Sequence, residues 1–262
     1  MQRQTIHMKI WLTALALLLV ATGCAQAPFT GRSQLMLLSS SQEISLGAQA
    51  AREMLAQEPV SRDPRYVNPV NEVGWNIARV TNEPGFQWEF FVIDKPDVAN
   101  ASCLPGGKVF VYTGIFEYAH NPDQLAAVIA HEIAHAVARH GGERVSNMLV
   151  VQMGQQAAMA AIGQQSGMAV QAMQIALGLG ANVGYILPFS REQEYEADRI
   201  GLILMAQAGY HPQAAYDFWV NMSRQSNSGR PPEFLSTHPT SSNRLDAIQY
   251  YIPEAMQYYR PR

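Results

Sequence analysis

One stretch limits what this chain can fold into more than any other: Asn121-Pro122-Asp123-Gln124-Leu125-Ala126-Ala127-Val128-Ile129-Ala130-His131-Glu132-Ile133-Ala134-His135. Asn followed by Pro is a strong helix start. The Asn side chain accepts from an early N–H, and Pro presets φ at a position whose N–H has no helical partner. The residues that follow are therefore read as helical. Residues four apart share a helix face, so His131 and His135 can hold one ion between their imidazoles, with Glu132 angled toward a water on that ion. Two ligands and an adjacent carboxylate oblige the fold to bring a third protein ligand to the same point and to keep one position open. The plain alternative, two buried helix histidines, would produce this pattern by chance in on the order of one per cent of chains of this length. His140, five residues beyond His135, points away from that face and is not expected to serve.

The third ligand is sought in Ser190-Arg191-Glu192-Gln193-Glu194-Tyr195-Glu196-Ala197-Asp198-Arg199. Glu194 and Asp198 are four apart and project from one face of a second helix. Glu194 can complete the metal site while Asp198 accepts a hydrogen bond from a ligand histidine, fixing its tautomer. Glu192 and Glu196 fall on other faces and are expected to be solvated. Taken alone, the acidic patch reads as a charged helix surface; coupled with the histidine pair, it reads as the other half of a metal site.

Composition narrows the class. The chain has 262 residues, of which 48% are hydrophobic and 15% charged, with 18 Lys+Arg against 21 Asp+Glu and 2 Cys. It is too apolar for disorder and too nearly neutral to bind nucleic acid by bulk charge, so no nucleic-acid partner is expected. Two cysteines exclude a disulfide scaffold and an all-cysteine zinc module. Residues 1–23 read as a secretory signal: Arg3 and Lys9, an apolar run from Ile10 to Ala21, then small residues before Cys24. Ala21-Thr22-Gly23-Cys24 resembles a bacterial lipobox, with Ala21 where Leu is usual. On that reading Cys24 carries the lipid anchor, and Ala25 after it resembles the outer-membrane sorting pattern. Loss of Arg3 and Lys9, with no acid in that segment, takes the net charge from −3 to −5. The acyl group, and not surface charge, must then do the anchoring.

Residues 24–38 are expected to be a tether ending in an apolar stretch, and 39–262 a single domain. A serine run, Ser39 to Ser41, caps a helix through Ala56, with Ser40 and Glu43 spaced as a capping box. Pro59 and Pro64 interrupt, and a second helix is placed at Asn68 to Asn82. Gln87 to Ile93 and Lys108 to Tyr112 read as strands, the latter after the Pro105-Gly106-Gly107 turn. Everything after Asn121 reads as helix, broken near Gly141, Gly167, Pro188, Gly209 and the Ser226 to Pro232 loop. A small sheet amid many helices is an α+β arrangement. No internal repeat is present. Between Arg144 and Arg191 there is no Asp, Glu, Lys or Arg. Recurrent Gln argues against lipid-facing spans at residues 145–190, leaving a buried hairpin, or a movable or membrane-contacting flap.

Taken together, these motifs resemble the CAAX prenyl protease and HtpX-like zinc metallopeptidases, in particular their periplasmic lipoprotein branch. The resemblance rests on Thr30-Gly31-Arg32 to Leu38, Asn100-Ala101, Pro105-Gly106-Gly107, Tyr112-Thr113-Gly114, His131-Glu132-Ile133-Ala134-His135, Glu194 to Asp198, and Thr237-His238-Pro239 with Arg244. Ser102-Cys103 departs from the apolar residues common there. The resemblance implies a mainly helical α+β zincin-type domain with a small sheet beside the active-site helix. It also implies one Zn2+ per chain on His131, His135 and Glu194, with Glu132 as general base in peptide-bond hydrolysis. The strand at Lys108 to Tyr112 is expected to pair with an extended substrate, drawing Asn100, Gly107 and Val109 into substrate binding. Misfolded envelope proteins are the implied substrates, the periplasmic face of the outer membrane the implied location, and its assembly machinery an implied partner.

His238 has two functional readings beside the plain one of a surface histidine, and in the second of them Arg244 positions its loop. In relatives of this branch a histidine in the His-Pro context takes the fourth zinc position and keeps the enzyme latent; alternatively, His238 lines the cleft and binds the oxyanion. Two other functions compete with proteolysis. One is a non-catalytic zinc lipoprotein that binds or chaperones outer-membrane proteins, for which Glu132 would be superfluous. The other is an integral membrane protease with two spans in residues 145–190.

Overall fold

A computed structural model describes residues 24–27, 29–162, 190–226, 232–239 and 241–262. The expected signal, residues 1–23, and most of the charge-free segment lie outside the described residues. In chain order the elements are β1 (Cys24–Gln26), β2 (Ser33–Leu35), α1 (Ser40–Gln57), α2 (Pro64–Ala78), β3 (Glu89–Ile93), β4 (Ala101–Leu104) and β5 (Lys108–Tyr112). Then come α3 (Pro122–Val137), α4 (His140–Ile162), α5 (Arg191–Gln207), α6 (Gln213–Ser226), the short α7 (Phe234–Thr237) and α8 (Ser242–Ala255). The mainly helical α+β class is as the sequence indicates. Among the described residues no helix is long and apolar enough to cross a membrane.

Helix α3 is the axis of the molecule. Asn121 caps it by accepting from the Gln124 N–H, Pro122 begins it, and every residue from Gln124 to Val137 is buried. A helix this apolar on all sides must be wrapped on all sides. Helices α2, α5 and α6 and the sheet do so, and one contiguous apolar core runs from Val70 to Ala255. Helix α5 lies so close to α3 that a Cβ on Gly201 would sit 3.1 Å from the His131 backbone nitrogen and 3.2 Å from its Cα.

The main sheet has the order β3-β5-β4, with β3 parallel and β4 antiparallel to β5. The sequence strand at Lys108 to Tyr112 is therefore the central one, paired on both sides. This corrects its expected part as a substrate-binding edge. Val109, in its middle, is fully buried, and Gly107 closes the turn before it. The sheet has two edges: β3, whose outer side is partly bridged by Val60 and Ser61, and β4, which the sequence reading missed because Ala101-Ser102-Cys103-Leu104 is short and carries no β-branched residue. The Tyr112 N–H donates to the Asn100 carbonyl, so hydrogen-bonded pairs recur at 102 and 104, and the peptide groups of Ala101 and Cys103 face outward.

Several boundaries move for local reasons. Ser39, not Ser40, caps α1, in a capping box with Gln42. Pro64 is the first residue of α2 behind the Asp63 cap, where a missing N–H costs nothing, instead of an interruption. The break after α3 falls at Arg139, whose φ of 60° turns the chain, and Gly141 lies inside α4. The expected tether is a hairpin, with β1 antiparallel to β2 and Cys24 opposite Leu35.

Candidate metal centre

Helices α3 and α5 and the segment after α7 bring four side chains to one point. His131 and His135 come from α3, Glu194 from the first turn of α5 behind the Ser190 cap, and His238 from just past α7. All four are buried, and one ligand atom from each lies within 4.8 Å of the others. His131 Nε2 is 3.1 Å from His135 Nε2 and 3.2 Å from His238 Nδ1. The Glu194 carboxylate lies 3.6 Å from His131 Nε2, 3.4 Å from His135 Nε2 and 3.0 Å from His238 Nδ1. These are edges of a tetrahedron: ligands about 2.0–2.1 Å from a shared zinc stand roughly 3.3 Å apart. Imidazole nitrogens and a carboxylate, crowded at this spacing out of water, fit a divalent cation.

Charges at the cluster agree with that fit. Burial alone would lower His131, yet hydrogen bonds to Asp198 and Glu194 outweigh it and lift the imidazole to about 9. Burial would raise Glu194, but Arg244 and the three histidines reverse this and hold its carboxyl far below the carboxylate range. His135 is pushed well below its ordinary value by burial, against the pull of Glu194.

Glu132, next to the first histidine, reaches the same point, with Oε1 3.3 Å from His238 Nε2. Burial raises its carboxyl above the ordinary range, with His238 and His131 partly opposing. It is a buried base placed beside the cluster without belonging to it. Asp198 sits where the helix spacing put it, Oδ1 3.0 Å from His131 Nδ1. Arg244 is fully buried and side-on to Asp198 at 2.7 and 2.8 Å, with Nη1 2.6 Å from Glu194 Oε2. It donates as well to the carbonyls of His238 and Pro239, at 3.3 and 3.1 Å, and lies 3.7 Å over the Trp219 ring. Arg244 thus fastens the His238 loop to the metal-site helices.

Asn100 lies at the β4 edge. Its Oδ1 accepts from the outward-facing Ala101 N–H, and its Nδ2 is 3.5 Å from Glu233, just before α7. The Phe234 N–H donates to the Ala99 carbonyl, so the loop bearing His238 is tied to the start of β4. Cys103 is half-buried and free; crowding by protein and then the charge of Glu132 raise its thiol well above the ordinary value.

Two residues set aside on sequence grounds belong to the site. His140 is fully buried, and its Nδ1 lies 2.8 Å from His135 Nδ1. The turn at Arg139 restarts the helix in a new direction, so the five-residue spacing no longer points His140 away. Glu196, expected to be solvated, is 6% exposed and accepts from His140 Nε2 at 2.9 Å. Glu192 is exposed, as expected.

The sequence matches Peptidase family M48 over residues 64–252. It is 36% identical over 236 residues to the mitochondrial metalloendopeptidase OMA1 of Schizosaccharomyces pombe, covering 87% of this chain and 66% of that protein. It is 32% identical over 225 residues to the beta-barrel assembly-enhancing protease of Escherichia coli K12, covering 83% of this chain and 45% of the relative. To human mitochondrial OMA1 it is 33% identical over 254 residues, covering 88% and 46%. The chain thus spans about two thirds of the fission-yeast relative and under half of the other two.

Proposed function

The chain belongs to Peptidase family M48, a metallopeptidase family, and from that premise we propose that it is a zinc-dependent endopeptidase of the bacterial cell envelope, held latent by His238. The observation that carries the proposal is the tetrahedral spacing of His131, His135, Glu194 and His238 with Glu132 beside it. Zinc on the first three would polarise a scissile carbonyl and acidify a water. Glu132, whose carboxyl burial raises, stands where it would take up a proton from such a water and hand it to the leaving amine. Asp198 holds the His131 ring through Nδ1, leaving Nε2 free to ligate.

An extended peptide would add to the outer edge of β4, bonding to the outward peptide groups of Cys103 and, in place of Asn100 Oδ1, of Ala101. Backbone pairing of this kind is indifferent to side chains, which suits misfolded or damaged proteins as substrates. The envelope location and the lipid anchor on Cys24 rest on the signal-like residues 1–23 and the lipobox resemblance. A relative named for β-barrel assembly supports an outer-membrane setting and contact with the assembly machinery there. His238 Nδ1 completes the tetrahedron, which supports the latch over the oxyanion reading.

The deciding experiment is digestion of casein by the parent and by Glu132→Gln at equal, measured zinc content. Cleavage by the parent and at least a hundredfold loss in the variant is expected. Equal cleavage by both, or none by either even with His238 also replaced, would favour the non-catalytic zinc lipoprotein instead.

A further inference from the structure

Each ligand histidine of α3 has a second nitrogen, and the two nitrogens lead in different directions. His131 Nδ1 meets Asp198, which Arg244 grips from the other side. His135 Nδ1 meets His140 Nδ1, at 2.8 Å. If His135 Nε2 gives its lone pair to a metal, its proton sits on Nδ1 and must be donated to His140 Nδ1. His140 then carries its own proton on Nε2, which faces Glu196 Oε2 at 2.9 Å. The Arg32 Nε donates to the same Glu196 oxygen at 2.7 Å, and Thr30 Oγ1 donates to the other. The remaining Arg32 nitrogens form a two-pronged pair with Glu143 at 2.8 and 2.7 Å, and Gln193 donates to Glu143 at 2.7 Å. Both lines therefore run from imidazole to carboxylate to a buried or mostly buried guanidinium. One ends in α8, the other in the turn of the amino-terminal hairpin.

We propose that Arg32 is a positioning residue of the metal centre, fixing the tautomer and ring orientation of His135 through Glu196 and His140. This rests on the metal-site reading above. The Arg32 side chain is 24% exposed, against 4% for Glu196, so it closes the line at the protein surface. Its bidentate grip on Glu143 sets the angle at which Nε meets Glu196, a geometry that a single ammonium cannot reproduce. The segment is held by more than this cluster: β1 pairs with β2, and just past β2 the Leu37 N–H donates to Ser146 Oγ at 2.9 Å. Loss of Arg32 therefore removes the end of the line without freeing the whole segment.

The test uses the full-length, zinc-loaded chain. The zinc dissociation constant is read by competition with a chromophoric chelator, and the cobalt-substituted protein is read by its visible absorption bands. Arg32→Gln and Glu196→Gln are each expected to weaken zinc binding by roughly ten- to a hundredfold and to alter the cobalt bands. Arg32→Lys should recover part of the loss. Arg199→Gln, which breaks the Arg199–Glu254 ion pair on the same helix but outside the line, should leave both readouts unchanged. Parental affinity and spectrum in both Gln variants would overturn the proposal, since a merely structural cluster would lower thermal stability and leave the folded site intact. Should Arg32→Gln fail to fold, Glu196→Gln decides alone. A parent that binds no zinc would instead overturn the metal-site reading itself, and Arg32's part with it.

Discussion

His238 is placed by packing as well as by its polar contacts. Its ring packs 4.5 Å from Phe234, which stacks on Trp219, and Arg244 holds its carbonyl. On the latch reading proposed above, a histidine so held would exclude a water from the fourth position and would have to yield before catalysis. His238→Ala should raise casein cleavage several-fold with zinc retained; unchanged or lower cleavage at full zinc content would point to oxyanion binding instead. The histidine itself was visible in the Thr237-His238-Pro239 motif. Its contact with His131, across 107 positions of sequence, was not, because nothing local in either segment encodes their meeting. Cys103 shows the same dependence. Burial and then the charge of Glu132 raise its thiol well above the ordinary value, an effect of neighbours that its own short strand does not announce.

At the level of elements, α3 against α5 decides the site. Glu194 and Asp198 lie on one face because they are four apart, which the sequence states openly. Their distance from the histidines depends on how closely two helix backbones approach, and Gly201 sets that limit. Gly201→Ala would force the helices apart by a few tenths of an ångström at His131, against backbone that cannot yield. It should cost about 1–3 kcal/mol of stability and weaken zinc binding, read by chemical denaturation and chelator competition. Stability lost with zinc affinity kept would show that the site tolerates the shift. The strands teach a similar lesson. Lys108 to Tyr112 was legible from its branched and aromatic residues, but whether a strand is central or at an edge depends on its neighbours. Here β4, whose sequence scarcely looks like a strand, takes one edge.

On the scale of the molecule, the chain ties its beginning to its middle by charge. Arg32 joins Glu143 and Glu196, and Arg139 joins Glu43 on α1. Burial would raise Glu196, but His140, Thr30 and Arg32 together bring its carboxyl down to about 2. A carboxyl lowered in the folded state contributes stability that is fully present above its ordinary value near 4.5 and is lost as pH falls toward 2. In the metal-free protein, the stability difference between the parent and Glu196→Gln should therefore be greatest above pH ~5, at up to ~3 kcal/mol, shrink to a few tenths of a kcal/mol near pH 2 and vanish below it. A difference that does not change between pH 6 and pH 3, measured by urea denaturation, would count against this coupling. By itself the sequence determined what periodicity encodes: the α3 helix with its histidine pair and base, the acidic pair on α5, and the mainly helical α+β class. Only the tertiary structure decided which groups stand behind the clustered histidines. His140, Glu196 and Arg32 meet because a single residue, Arg139, turns the chain with positive φ and a hairpin folds back over the helices. Such convergence depends on packing between distant segments, to which no local spacing is a guide.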